Sequence, residues 1–299
     1  MALEETDPPR PGPGQVLVRL RAAGVNPVDT YVRAGTLGYS PQVPYTPGAD
    51  GAGLVESVGP GVTKVRAGDR VYGGRCVTGS YAEKGLFEEA QVFPLPEKIT
   101  FAQGACLGIP YGTAYRALFQ KGRARTGETV LVHGASGGVG LAAVQLARAA
   151  GLTVIGTAGS PEGKKLLLEQ GAHEARDHKE LKGVRPNLIL EMLANENLGT
   201  DLKIAAPFGR IVVIGSRGTV EVDARDAMQN DLTVLGMVLK SASPEEIREI
   251  HEHLAAGLKK GEIKPVISRE FPLAEAPEAH RAVMRPPALG KIVLTMEGR

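Results

Sequence analysis

Residues 127–151, GETVLVHGASGGVGLAAVQLARAAG, restrict the fold more than any other stretch of the chain. A β-branched run from Thr129 to Val132 enters a glycine turn. The turn opens into a segment with one face made of Leu141, Val144, Gln145, Ala147 and Arg148, the recurrence of a helix. Strand, glycine turn and helix in that order suit a dinucleotide pyrophosphate, because a helix N-terminus offers free N–H groups and a positive dipole end. Gly137 lets the backbone approach the phosphates, and Gly140 lets the helix pack closely on the strand. Ala135 stands at the first position of the G-x-G-x-x-G pattern, and such a pattern alone also describes an ordinary βα turn. The flanking strand and helix carry the reading.

At 299 residues the chain is long enough for two domains with separate cores. Its 35 basic and 33 acidic residues leave a formal charge of +2 without a long run of one sign. Bulk electrostatics therefore give no support to a nucleic-acid or membrane partner. No apolar run approaches the roughly 18–20 residues of a membrane-spanning helix. The start, MALEETDPPRPGPG, is acidic and proline-rich, the opposite of a secretory signal. The two cysteines, Cys76 and Cys106, lack metal-ligand spacing and read as reduced thiols of a cytoplasmic protein.

Residues 15 to 95 read as short strands broken by Gly and Pro, the pattern of a compact β-barrel-like domain. Thr100 has the position of a helix N-cap, and a further helical piece is expected near 113–118. From Thr129 the pattern alternates between strands (TVLVHG, TVIGT, NLILEML, RIVVIG, TVLGMVL) and helices at 138–150, 161–170 and 198–206. Alternation of this kind predicts a parallel sheet covered on both faces. Ser160-Pro161 marks a helix start, and Ser243-Pro244-Glu245-Glu246 has the spacing of a capping box. After about residue 265 a helix near 273–285 and a last strand at 291–295 return the chain to the first domain. The fold class expected is α/β: a barrel domain from 1–100 and 265–299, and a doubly wound parallel Rossmann sheet over 101–264.

In such a sheet an Asp or Glu about 20 residues past the glycines, at the tip of the second strand, holds the ribose 2′-hydroxyl of NAD. Here that strand ends Ile155-Gly156-Thr157-Ala158-Gly159-Ser160, and Lys164 and Lys165 follow. A small polar group with cations nearby, and no carboxylate to repel a phosphate, points to NADP(H).

Further segments are informative together: AGVNPVDTYVRAG at 23–35, PYTPGADGAG at 44–53, GIPYGTAYRAL at 108–118, GTAGSPEG at 156–163, EMLANENL at 191–198, GSRGTVEV at 215–222 and GKIVL at 290–294. With 127–149, they resemble the zeta-crystallin and quinone oxidoreductase branch of the medium-chain dehydrogenase/reductases. The resemblance implies a GroES-like catalytic domain, a Rossmann domain and NADPH-dependent reduction of quinones. It also implies a homodimer or homotetramer in which Rossmann edge strands near 233–239 pair between subunits. Carried over residue by residue, it places Ser136, Gly137, Gly138 and Val139 at the pyrophosphate. Gly159, Ser160 and Lys164 fall near the 2′-phosphate, and His178 near the adenosine end. Asn197, Ile214, Gly215, Ser216 and Arg217 line the cleft at the strand ends, Met237, Val238 and Leu239 flank the nicotinamide, and Lys291 reaches a phosphate. Asn26, Tyr31 and Thr113 complete the nicotinamide pocket and form the catalytic set.

Zinc-dependent cousins carry a ligand Cys where this chain reads Gly24-Val25-Asn26-Pro27-Val28-Asp29, and a Gly-His-Glu where it reads Gly48-Ala49-Asp50. Without that thiolate and imidazole no metal site is expected. His133, His173, His178, His251, His253 and His280 are read as forming no cluster, with His251 and His253 at the surface. In the absence of a metal, the Asn26 amide and the Tyr31 hydroxyl are the expected donors to the oxygen on which negative charge gathers. Delocalised acceptors, reduced by hydride or by one-electron transfer, need the least help. The alternatives are reduction of α,β-unsaturated carbonyls and a non-catalytic NADPH-binding protein. The family also has an additional strand pair at its start, and a helix where Lys179 to Asn187 here join two strands directly. That short connection is expected to leave one sheet face without cover.

Overall fold

The first strand, β1 (Gln15–Val25), is followed by α1 (Pro27–Ala34), β2 (Asp50–Val58), β3 (Arg70–Gly73), β4 (Lys84–Glu88), β5 (Val92–Pro94) and α2 (Phe101–Gly104) in a computed structural model that describes residues 1–296. Next come α3 (Gly112–Tyr115), β6 (Thr129–Val132), α4 (Gly138–Ala149), β7 (Thr153–Thr157), α5 (Pro161–Glu169) and β8 (Glu174–Arg176). β9 (Leu188–Glu191), α6 (Ala194–Ile204), β10 (Arg210–Val213), α7 (Ala224–Gln229), β11 (Thr233–Gly236) and α8 (Pro244–Lys260) continue the pattern. The chain returns through β12 (Ile267–Pro272), α9 (Ala276–Val283) and β13 (Lys291–Thr295). Two units result, one of residues 1–109 with the stretch from Pro265 onward, the other of residues 110–264.

In the first unit, strands run in the order β12-β13-β1-β2-β3-β5, and β4 also pairs with β1. β1 changes partner along its length: Gln15–Arg19 face β4, and Ala22–Val25 face β13. Register shifts at Leu17/Val18 and Leu20/Ala22 mark the bend. Gly53 is needed opposite that bend, because a Cβ there would collide with the Arg19 carbonyl. Val16, Val18, Leu20, Val55, Phe87 and Leu294 fill the core on the inner side. The unit extends past the expected boundary at residue 100 because α2 packs on β1 and β2. A Cβ on Gly104 would meet Ala52 and Leu95, and one on Gly24 would strike the Ala105 carbonyl.

In the second unit, the strands of the described residues run β11-β10-β9-β6-β7-β8, all parallel. The chain winds outward from β6 through β7 to β8, crosses back, and winds outward again from β9. The order reverses between β6 and β9, and a crevice at their carboxyl ends is where ligands of such sheets bind. Burial of Leu188, Ile189 and Leu190 in succession reflects cover on both faces.

Helix starts follow the sequence signals closely. Thr100 accepts from the Gln103 N–H, Ser160 from the Gly163 N–H, and Ser243 and Glu246 close a reciprocal capping box. α6 begins at Ala194 rather than near 198, since the Glu191 carboxylate accepts from the Leu193 N–H and holds the chain at the helix entrance. Two further expectations are corrected. The sheet face beside residues 179–187 keeps its cover, because Leu181 and Val184 turn inward and pack with Leu131, Ile155 and Ile189. His251 is buried, on the same face of α8 as Ile247, Ile250 and Leu254, while His253 is exposed.

Candidate active site and dinucleotide cradle

After β6 the chain passes through His133, Gly134 at φ 54°, Ala135 and Ser136, then Gly137 caps α4. The turn is pinned from β7: the Gly134 N–H donates to Thr157 Oγ1 at 3.1 Å and the Ala135 N–H to the Thr157 carbonyl at 2.8 Å. A Cβ on Gly140 would lie 2.5 Å from Ala135 Cα, so only glycine lets α4 come this close. Gly138 and Val139 open the helix, where backbone N–H groups have no intrahelical acceptor and face outward along the axis. The backbone thus offers an anion a ready seat.

The neighbouring corner is built from the tip of β7. Gly159 lies under the His178 ring, which takes up 3.5 Å contact with the position of a Cβ there. His178 is held by a 2.9 Å hydrogen bond between Nδ1 and Thr157 Oγ1. Burial holds this imidazole below its usual pKa. The Ser136 and Ser160 hydroxyls both face Gly163 at 3.3 Å from its Cβ position, so pyrophosphate turn and ribose corner adjoin. Lys164 is half-buried on the next position of α5, whereas Lys165 pairs with Glu169 at 3.8 Å on the exposed face.

Across the crevice, the segment 191–197 supports the segment 214–217. The Glu191 carbonyl accepts from the N–H groups of Ile214 (2.8 Å) and Gly215 (3.3 Å). Asn195 Oδ1 accepts from the Arg217 N–H at 2.8 Å and from the Ser216 hydroxyl at 3.4 Å. Asn197 Nδ2 donates to Glu191 Oε1 at 3.1 Å. Met237 is buried and its N–H reaches the Val213 carbonyl at 3.0 Å, Val238 is exposed, and Leu239 packs over Gly112 beside buried Thr113. Sequence reasoning missed Thr157, Glu191 and Asn195; the polar start of α6, Asn195-Glu196-Asn197, was the one visible signal for the last.

His133 does belong to a cluster, contrary to expectation. Its Nε2 lies 2.8 Å from Asp201 Oδ1 and 3.6 Å from Glu191 Oε2. Among the described residues this is the one trio with metal-capable atoms mutually within 4.8 Å. Ligands of a single zinc, at about 2.0–2.1 Å from it in a tetrahedron, stand about 3.3 Å apart. The 2.8 Å separation is that of a hydrogen bond.

In the first unit, Asn26 caps α1 and Tyr31 lies half-buried on that helix. The Asn26 amide donates to Asp50 Oδ2 at 2.9 Å and toward the Gly24 carbonyl at 3.5 Å, and its Oδ1 accepts from Lys291 Nζ. Lys291 also lies 3.7 Å from Asp50 Oδ2, and Asp50 Oδ1 accepts from the Ile109 N–H at 2.7 Å. Burial raises the Asp50 pKa, and the Lys291 ammonium lowers it. Lys291, expected at a cofactor phosphate, and Asn26, expected at the substrate oxygen, are thus both engaged with Asp50 inside their own unit. A second chain runs from His280 Nε2 to the Tyr81 hydroxyl (3.1 Å) and from that hydroxyl to Asp29 Oδ2 (3.1 Å). Burial foremost lifts Asp29 to about 6.

Residues 12–97 match the family described as the alcohol dehydrogenase GroES-like domain, and residues 138–256 the family described as zinc-binding dehydrogenase. The quinone oxidoreductase of Rattus norvegicus is 50% identical over 301 residues, covering 96% of this chain and 91% of the relative. That of Homo sapiens is 46% identical with the same coverage. The Escherichia coli quinone oxidoreductase complexed with NADPH superposes with a TM-score of 0.87 at 27% identity, covering 99% of this chain and 95% of that one. The CurK enoyl reductase superposes with a TM-score of 0.89 at 26% identity, covering 98% and 94%. Zinc, which the second family's description implies, does not fit: amide, carboxylate and ammonium meet at Asn26, Asp50 and Lys291, and an ammonium has no lone pair to give.

Proposed function

The chain belongs to the quinone oxidoreductase family of the medium-chain dehydrogenase/reductases, and on that premise we propose that it reduces quinones with NADPH and without a metal. The carrying observation for the cofactor is the tip of β7, where Ala158, Gly159 and Ser160 stand in place of a carboxylate and two hydroxyls converge on Gly163. A 2′-phosphate meets hydroxyl donors and the Lys164 cation there, and the strand tip itself carries no carboxylate to repel it. Ser136, Gly137, Gly138 and Val139 take the pyrophosphate; Gly159, Ser160, Lys164 and His178 take the adenosine end. Asn197, the 214–217 segment and Met237, Val238 and Leu239 line the remainder.

Bound NADPH supplies the hydride. The chain's own part is to hold two flat π-systems together and to offer a donor as charge gathers on the quinone oxygen. Tyr31 remains the proposed donor, and Thr113 stays in the proposed catalytic set. Asn26 and Lys291 are reassigned: with Asp50 they fix the entrance of α1 and hence the position of Tyr31. Reduction of α,β-unsaturated carbonyls is the second reading, favoured by the likeness to the CurK enoyl reductase. We place the protein in the cytoplasm on its two free cysteines, Cys76 and Cys106. Among the described residues no helix is long and apolar enough to cross a membrane.

Oxidation of NADPH, followed by absorbance with an ortho-quinone, beside an enone and beside NADH, tests the proposal. Turnover of the quinone with NADPH well above NADH is the expected result. Reduction of the enone alone transfers the assignment to the second reading. NADPH binding without turnover makes the protein a binder.

A further inference from the structure

His133, Glu191 and Asp201 are buried at the carboxyl ends of β6 and β9 and on α6, where the strand order of the second unit reverses. The hydrogen bonds of this trio leave a pattern that one proton resolves. With its proton on Nε2, His133 donates to Asp201 Oδ1, while His133 Nδ1, Glu191 Oε2 and Asp201 Oδ2 have no partner. A bare Nδ1 marks a neutral imidazole. The two unpartnered oxygens belong to neighbouring carboxyl groups, each of which brings an oxygen within 4.8 Å of the other. Two acceptors cannot satisfy each other in a buried place, but an acid and a carboxylate can.

We infer that Glu191 is a positioning residue of the dinucleotide cleft that works as the protonated acid, donating from Oε2 to Asp201. The inference rests on the reading of the glycine turn as an NADPH site. Oε1 of the same carboxyl group holds the Leu193 N–H and Asn197 Nδ2, and the Glu191 carbonyl holds the N–H groups of Ile214 and Gly215. One residue therefore touches both walls of the crevice behind the pyrophosphate turn, its carboxyl group the 191–197 segment and its main-chain carbonyl the 214–215 segment. When the proton leaves for solvent, two carboxylates face each other beneath an anion site and push Glu191 off its contacts. Burial foremost, then the Asp201 contact, sets Glu191 at about 7; burial lifts Asp201 to about 6, with Glu191 pulling it down. His178, just beyond β8, lies within electrostatic reach of His133 and Glu191, and Asp177 lies within reach of His178. Glu196 on α6, Arg217 on the facing segment and Lys164 on α5 are further ionisable groups at the crevice.

The test is NADPH affinity from about pH 7 to about pH 9, where the 2′-phosphate (second pKa about 6) no longer titrates. Wild-type affinity falls about tenfold one pH unit above the midpoint, the reciprocal of the protonated fraction. Glu191→Gln carries a permanent N–H donor toward Asp201 and holds the low-pH affinity across the range. Asp201→Asn removes the carboxylate that accepts the proton and moves the midpoint down. The neutral wild-type apoprotein shows the infrared carbonyl band of a buried carboxylic acid, and Glu191→Gln lacks it. The same pH profile in Glu191→Gln, no such band, or a stoichiometric divalent cation in the purified protein overturns the inference. No NADPH binding at any pH overturns the cofactor reading instead, and the infrared band then decides the proton by itself.

Discussion

Lys291, expected at a cofactor phosphate, is held inside its own unit. It lies in the closing segment GKIVL and is buried against Asp50 and Asn26, so its ammonium is the counter-charge of a carboxylate with no exposure at all. Removing one partner of a buried pair leaves the other uncompensated, at a cost of about 3–5 kcal/mol. Lys291→Met is expected to lower the free energy of urea unfolding by that order, and the double variant with Asp50→Asn to recover most of the loss. A loss below about 1 kcal/mol in the single variant, the range of a solvated pair, would show that Asp50 finds its compensation elsewhere. By contrast Gly140 was legible from the sequence, since the contact it permits, with Ala135, lies five positions away in the same turn.

α8 carries its start and stop in its own sequence: a capping box at Ser243 and Glu246, two lysines in the last turn and Gly261 at φ 76°. What it packs against is not written there. Glu246 Oε2, besides closing the box, accepts from buried Arg116 at 2.9 Å. His251 faces the core, and burial drops it to about 3. Because its folded pKa lies below the unfolded value near 6.5, the unfolded chain takes the proton first as pH falls. The stability is complete above pH 6.5 and is lost toward pH 3, by about 1.4 kcal/mol for each pH unit. Between about pH 6.5 and about pH 5, His251→Leu is therefore expected to lose about 2 kcal/mol less than wild type in urea unfolding. Parallel losses in the two proteins would place the acid sensitivity at another group, with His280, held at about 4 chiefly by burial, next in line.

At the scale of the whole molecule, the second unit's sheet ends at β11, whose outer edge is unpaired among the described residues. Val234 is 46% exposed on it and Val238, just beyond, 51% exposed. An apolar open edge invites another strand, and we propose that a second copy supplies it, giving a homo-oligomer. Val234→Lys is expected to shift the mass seen by light scattering to that of one chain, with NADPH binding retained. An unchanged mass would move the interface elsewhere.

Determined by the sequence alone were the features whose partners lie within a few residues: the glycine turn, the helix caps, the alternation that makes the parallel sheet, and the missing carboxylate at Ser160. Each is fixed by backbone geometry over one or two turns of chain, so local residue types suffice. Tertiary structure decided what depends on which strands become neighbours. Adjacency of β6 and β9 brings His133 to Glu191, and the bend in β1 that pairs it with both β2 and β13 brings Asn26 to Asp50 and Lys291. The inward turn of Leu181 and Val184 onto the sheet is of the same kind. A linear pattern carries the polarity of such residues, but their partners follow from sheet order, a property of the assembled chain.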